Sequence, residues 1–344
     1  MLKVTSFKVI KTVILFSLLL NNTWAAAKEA SPIKVDDSLV RFAVIADLTG
    51  GERSGVFDVA VEGLAAMQPD FILSIGDLIE GSTEDIVQLN KEWENFERRI
   101  KKTGVPFYPV VGNHDISNLV QRNWWEETVG PRYYHFRHKD ILFLMMDTED
   151  YPEDRFAELA DIRAEGIRVY KNDPKDFPET EYANLPERKI GEFSDQQIRY
   201  FEKVIEQNRD VRWTFILMHK PAWWASTRPE LNEELNHKQH LLPIENALKG
   251  QSYTMLCGHV HTYDHTKRLG QDYIQLGTTG GAFTPADNGE YMDHILWVSI
   301  KGKQVQYLNL TLQGMRNIKG QIPFTDKQPF ADKKPCFAQQ QCSK

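Results

Sequence analysis

Five apolar runs in this chain each end on a residue able to ligate a metal. Phe42-Ala43-Val44-Ile45-Ala46 leads into Asp47, and Phe71-Ile72-Leu73-Ser74-Ile75-Gly76 into Asp77. The run from Phe107 to Gly112 leads into Asn113-His114-Asp115, that from Trp213 to Met218 into His219, and that from Tyr253 to Gly258 into His259-Val260-His261. Short runs of Val, Ile, Phe and Leu bounded by glycine or polar residues read as buried strands. In open α/β sheets, ligands gather outside the carboxyl ends of the strands. The pattern therefore predicts one site at which five strand ends deliver Asp, Asn and His side chains.

The chain has 344 residues, enough for one large domain or two modest ones. Lys3, Lys8 and Lys11 precede an apolar stretch from Val13 to Leu20, and Ala25-Ala26-Ala27 follows. A basic start, a short apolar centre and a small-residue cleavage site form the pattern of a secretory signal, so residues 1–27 are expected to be removed. The competing reading, an uncleaved anchor, is disfavoured because the apolar stretch is too short to span a bilayer. The expected protein is exported and periplasmic, with no stable membrane anchor. Formal charge is −7, from 41 basic and 48 acidic residues, and loss of those three lysines makes it −10. So acidic a chain is a poor general binder of nucleic acid or anionic membrane. A small phosphorylated substrate would need a local positive centre. Oligomeric state is not readable. Cys336 and Cys342 lie close enough in the tail to pair in an oxidising compartment, whereas Cys257 reads as a buried free thiol.

Val40–Ala46, a helix over 53–67 and Phe71–Ile75 form a βαβ unit, which implies parallel strands. A longer amphipathic helix is expected over 84–101, with Leu89, Trp93, Phe96 and Ile100 on one face. Pro106–Val111 reads as a further strand, 133–137 and 141–147 as a hairpin, and Ser194 as the cap of a helix reaching about Asn208. Residues 148–192, rich in Glu, Asp, Pro and Arg, read as a partly helical insertion over the site. Strands return at 273–276, 294–300 and 304–312. The domain is expected to span 28–314, with 315–344 an extended tail.

Gly76-Asp77, Gly112-Asn113-His114-Asp115, His219 and Gly258-His259-Val260-His261, in this order and at these spacings, resemble the calcineurin-like metallophosphoesterase family over roughly residues 40–300. The resemblance implies an α/β fold of two mixed β-sheets packed as a sandwich and flanked by helices, with two divalent metals at the strand ends. Matched by motif, Asp77 would bridge the metals. Asn113, His219 and His259 would complete one, and Asp47 and His261 would serve the other. Imidazole with carboxylate suits Zn, Mn or Fe. His114 would face the substrate and either protonate the leaving oxygen or steady charge on phosphorus, with Asp115 orienting its ring and favouring its protonated form. The implied reaction is hydrolysis of a phosphate mono- or diester by a metal-bound hydroxide. The alternatives are a catalytically silent metal-binding member and a protein phosphatase.

One departure stands out. The family pattern at the first motif is Asp-x-His, and this chain has Asp47-Leu48-Thr49. A hydroxyl is a poor transition-metal ligand, so one metal loses an imidazole. Glu80, three residues after Asp77, is a candidate replacement ligand; the competing reading places it at a helix N-terminus. Three further residues are candidates for substrate binding. Arg53, at the end of a glycine-rich turn, could hold phosphate. Trp124 and Trp223 could form an apolar wall, although core packing is the commoner fate of Trp. Specificity is expected to lie in 148–192 and in the loop 222–240.

Overall fold

The computed structural model describes residues 38–228, 241–282 and 291–314. Signal and tail, Cys336 and Cys342, and most of the 222–240 loop lie outside them. The first half contains β1 (Leu39–Ile45), α1 (Val56–Met67), β2 (Phe71–Ser74), α2 (Ile86–Ile100), β3 (Phe107–Tyr108), α3 (Leu119–Thr128), β4 (Tyr134–His138) and β5 (Ile141–Met145). Then come α4 (Glu153–Asn172), α5 (Glu181–Asn184), α6 (Pro186–Ile190), α7 (Asp195–Gln207), β6 (Trp213–Leu217), α8 (Trp224–Thr227) and α9 (Leu242–Ala247). The described chain ends with β7 (Tyr253–Cys257), β8 (Asp264–Arg268), β9 (Gln271–Gln275), β10 (His294–Lys301) and β11 (Gln304–Thr311).

These strands form two mixed sheets, of order β11-β10-β1-β2-β3 and β4-β5-β6-β7-β9-β8. In the first, β1, β2 and β3 run parallel while β10 pairs antiparallel with β1. In the second, β5, β6, β7 and β9 are parallel, with antiparallel strands at both edges. The sheets pack face to face through Val40, Phe42 and Val44 from one side and Phe143, Phe215 and Leu256 from the other. Phe42 is fully buried and meets Phe143 and Phe215 edge-on, at centroid separations of 5.3 and 4.9 Å. Burying one such ring contributes about 1.5–3 kcal/mol. The outer faces are covered by α1, α2 and α3 on one sheet and by α7 and α9 on the other.

Two strands depart from expectation. β3 is shorter than the run 106–111, because Pro109 has no amide to continue the ladder, and Val110 N–H turns to Ser74 Oγ at 3.2 Å. β8 has the sequence Asp-His-Thr-Lys-Arg, mostly exposed, with no apolar alternation to announce it. It forms because Leu269 and Gly270, at φ 52° and 75°, make a tight turn that folds it back on β9.

At the start of β10, His294 is buried, accepts Gly277 N–H at Nε2 (3.0 Å) and lies 3.0 Å from Asn309 Oδ1 through Nδ1. Burial pushes its pKa from the ordinary 6.5 down to about 4. The unfolded chain therefore takes up this proton first. The imidazole's contribution to stability is complete above pH 6.5 and is lost as pH falls toward 4. Between pH 7 and 4.5, His294→Gln should lose about 2–3 kcal/mol less stability than the native chain, as read from denaturant unfolding at each pH.

Candidate active site

The residues expected to ligate metal follow the ends of β1, β2, β6 and β7 and the turn after β3. Their backbone is unusual. Of the eight non-glycine residues with positive φ among the described residues, four are Asp47 (44°), Asp77 (57°), His259 (70°) and His261 (62°). Such conformations are disfavoured for residues with a side chain and persist where the surroundings over-determine them. Here the loops are cross-tied: Leu48 N–H and Thr49 N–H both donate to Asp77 O, at 3.0 and 3.1 Å, and Gly281 N–H donates to Asp47 O at 2.8 Å.

Each carboxylate commits one oxygen to the backbone of another motif. Asp77 Oδ1 accepts His114 N–H at 2.9 Å, and its Oδ2 lies 3.3 Å from His219 Nε2. Asp47 Oδ1 accepts His259 N–H at 2.9 Å and lies 3.4 Å from His261 Nε2. Asp47 Oδ2 is buried and has no hydrogen-bond partner among the described residues. Around His219 Nε2 gather Asn113 Oδ1 at 3.1 Å and His259 Nδ1 at 3.2 Å. The opposite nitrogen of His219 bonds Ile75 O at 2.8 Å, and Nδ1 of His261 bonds Ala282 O. Carbonyl acceptors at Nδ1 direct Nε2 of both rings to the common centre, the arrangement that orients metal-ligating histidines.

This donor set fits a divalent cation. Oxygen and nitrogen atoms of Asp47, Asp77 and His219 lie within 4.8 Å of one another, all three residues are buried, and they could hold a metal ion. An orphaned buried carboxylate oxygen is costly without a partner. Burial alone would lower the pKa of His219, but Asp77 and Asp47 outweigh it and hold the proton up to about 9. By contrast, burial and the charge of His219 push His259 well down. Asp77 is held well below the usual carboxylate range: burial acts to raise it, and His219 and His114 overcome that. The centre attracts positive charge, and a cation would take the place of the His219 proton.

Glycines make the room. A Cβ at Gly258 would overlap Asp47 Oδ2, and one at Gly112 would overlap Asp77 Oδ1. Gly258→Ala should therefore lower metal content and reduce kcat by roughly 10–100-fold, the usual scale for disturbing a ligand's support. Elemental analysis beside the rate checks it; full metal content in the variant would show that the carboxylate can move aside.

Four expectations are corrected. Asp115 does not orient His114. Its carboxylate is fully buried and accepts the backbone N–H of Asp77 (2.9 Å), Leu78 (2.8 Å), Ile79 (3.1 Å) and Gly112 (2.8 Å). It is the knot tying the β2 and β3 loops. His114 Nδ1 instead bonds Glu80 O at 3.0 Å, and burial lowers the pKa of the ring rather than favouring its protonated form. Glu80 does not join the metal-ligating group: its Oε1 accepts Gly51 N–H (3.0 Å) and Glu52 N–H (2.9 Å), capping the loop before α1. Arg53 is a staple, donating to Asp293 and to Gly281 O (2.9 Å). Trp124 and Trp223 are core residues, the first hydrogen-bonded to Asn90 (2.8 Å) and the second edge-on to Tyr273. Thr49 Oγ1 lies 2.9 Å from Ile79 O and 3.2 Å from Asp77 O, both backbone carbonyls, so its hydroxyl pins the β2 loop.

Residues 153–190 form three α-helices and one 3-10 turn beside Asn113. With Asn113 they line a small cavity, of about 30 Å³, whose walls include Arg163, Tyr182, Arg188 and Lys220. Sequence reasoning missed these residues, since weak periodicity over 148–192 hid which side of the helices faces inward.

The two-sheet sandwich thus carries, at its strand ends, a group of side chains that could hold a divalent cation. The family model for calcineurin-like phosphoesterase matches residues 40–263, and the chain belongs to that family. Among curated proteins it is similar to "Probable glycerophosphodiester phosphodiesterase GpdQ" of Arcobacter nitrofigilis, 22% identical over 199 residues. That match covers 58% of this chain and 59% of the relative, so the chain spans less than two thirds of the relative's length. Among solved structures it resembles purple acid phosphatase PPD1 of yellow lupin (TM-score 0.51, 11% identity, 79% of this chain and 51% of that one). It also overlaps a dimetal phosphatase from Danio rerio (TM-score 0.49, 16% identity, 79% and 98%).

Proposed function

We propose that this chain is an exported phosphoesterase that uses two divalent cations, Mn, Fe or Zn, to hydrolyse a small phosphate mono- or diester. The observation that carries the reading is the unpartnered, buried Asp47 Oδ2 beside Asp77, His219, His259 and His261. Asp77 would lie between the cations, with Asn113, His219 and His259 on one side and Asp47 and His261 on the other. When bound, the cations would polarise phosphoryl oxygens and lower the pKa of water. Likeness to a probable glycerophosphodiester phosphodiesterase makes small diesters the first substrates to try. Export rests on the signal pattern of residues 1–27; among the described residues no helix is long and apolar enough to cross a membrane.

The protein's own part in the chemistry is placement and proton transfer. The His114 Nδ1 bond to Glu80 O leaves Nε2 facing the centre, on the side of Gly50 that also meets His261 Nε2. An anionic phosphoryl group arriving there would raise the ring's pKa. His114 Nε2 could then pass its proton to the leaving oxygen. A silent metal-binding role draws on Thr49 alone, whose hydroxyl is taken up by the β2 loop. Purified mature protein should be assayed on bis(p-nitrophenyl) phosphate and p-nitrophenyl phosphate with added Mn²⁺ while its metals are counted. Turnover of either ester supports the reading. Bound metal without turnover of either supports the silent role.

A further inference from the structure

Two arginines of the described chain are buried to a similar degree, Arg99 at 8% exposed and Arg163 at 6%. Arg99 is neutralised by Glu52 (2.6 Å) and Asp58 (3.1 Å). Arg163, on α4, donates to Ser82 Oγ (2.9 Å) and Tyr182 OH (3.2 Å) and meets no carboxylate among the described residues. A buried charge without a counter-ion is unfavourable, and an anion must be expected beside it. Its neighbours in the cavity do not supply one. Glu149 is paired with Lys220 at 2.5 Å and Glu187 with Arg155 at 2.5 Å. Arg188 adds a second guanidinium, stacked over Phe177 and Tyr182.

The cavity shared by Arg163 and Asn113 sets the size of that anion. At about 30 Å³ it has room for an oxygen or two. Asn113, which would hold a cation in the reading above, is part of its wall, so an anion seated there fits the phosphoryl group. We propose that Arg163, held by Ser82 and Tyr182, is a substrate-binding residue that grips a non-bridging oxygen of the phosphoryl group, so that the α4–α6 helices complete an anion site begun by the strand ends. The inference rests on the phosphoesterase reading above. It gives the insertion a task the strand-end motifs do not perform: positive charge at the phosphate from a side chain.

Inorganic phosphate is the probe, with Mn²⁺-loaded full-length mature protein. Phosphate should raise the Tm of the native chain and inhibit ester hydrolysis competitively. In Arg163→Met the Tm rise should shrink, and Ki for phosphate and KM for p-nitrophenyl phosphate should each increase about 10-fold or more, with metal content unchanged. Arg163→Lys should fall between, because it keeps the charge and loses the planar fork. Tyr182→Phe should weaken phosphate binding by a few-fold. Arg168→Met, on the exposed side of α4, is the control. Native-like phosphate binding in Arg163→Met, or in Arg163→Lys should the first fail to fold, overturns the inference while leaving the phosphoesterase reading in place. A native chain that hydrolyses no ester and binds no phosphate overturns both.

Discussion

Asp77→Asn is expected to reduce metal content to less than one ion per chain and to lower kcat/KM by ~1000-fold or more, beyond the loss of a single transition-state hydrogen bond. The substitution is nearly isosteric. Asn Oδ1 can still accept His114 N–H, the bond that holds the β3 turn to β2, so the fold should survive. What disappears is the negative charge facing His219. That charge is also the main influence raising the His219 proton to about 9, against a burial that acts to lower it. In the variant, this imidazole should titrate at lower pH in the metal-free protein, as followed by NMR of the ring. Normal metal content in Asp77→Asn would sink the assignment of Asp77 to the shared position.

The second large effect separates proton transfer from metal binding. His114→Ala should retain full metal content and lose roughly 100- to 1000-fold in kcat, within the range for removing a positioned general acid. The loss should depend on the ester. A p-nitrophenolate leaves without much help, whereas an alkoxide needs the proton, so alkyl esters should suffer more than aryl ones. Equal losses on both would assign His114 to phosphate binding instead. In that case KM rather than kcat should carry the change.

The histidine, aspartate and asparagine donors were legible because they follow apolar runs. Phe42–Ala46, Phe71–Ile75 and Tyr253–Cys257 are buried almost completely, and a chain leaving a buried strand must deliver its next polar residue at the sheet's end. The first helical crossover and the cap at Ser194 follow from similar local signals, whereas the pairing of two mixed sheets was implied by the family resemblance. β8 was hidden because its pairing comes from the Leu269-Gly270 turn rather than from hydrophobic pattern. The insertion was visible as a change in composition, but its inward face was not.

Errors at the site share one cause. Asp115, Glu80 and Arg53 are all charged, all adjacent to the motifs, and all taken up by backbone groups or ion pairs far away in sequence. The strained loops after the strands leave amides that need acceptors, and these side chains provide them. By itself the sequence determined the strand ends and the donor set there, since burial of apolar runs is a local property with a readable period. Which polar neighbours face the metals, which tie loops, and where Arg163 meets the cavity were decided by the tertiary structure. Hydrogen bonds of Glu80 and Arg53 couple residues 28 to 240 positions apart and have no period at all.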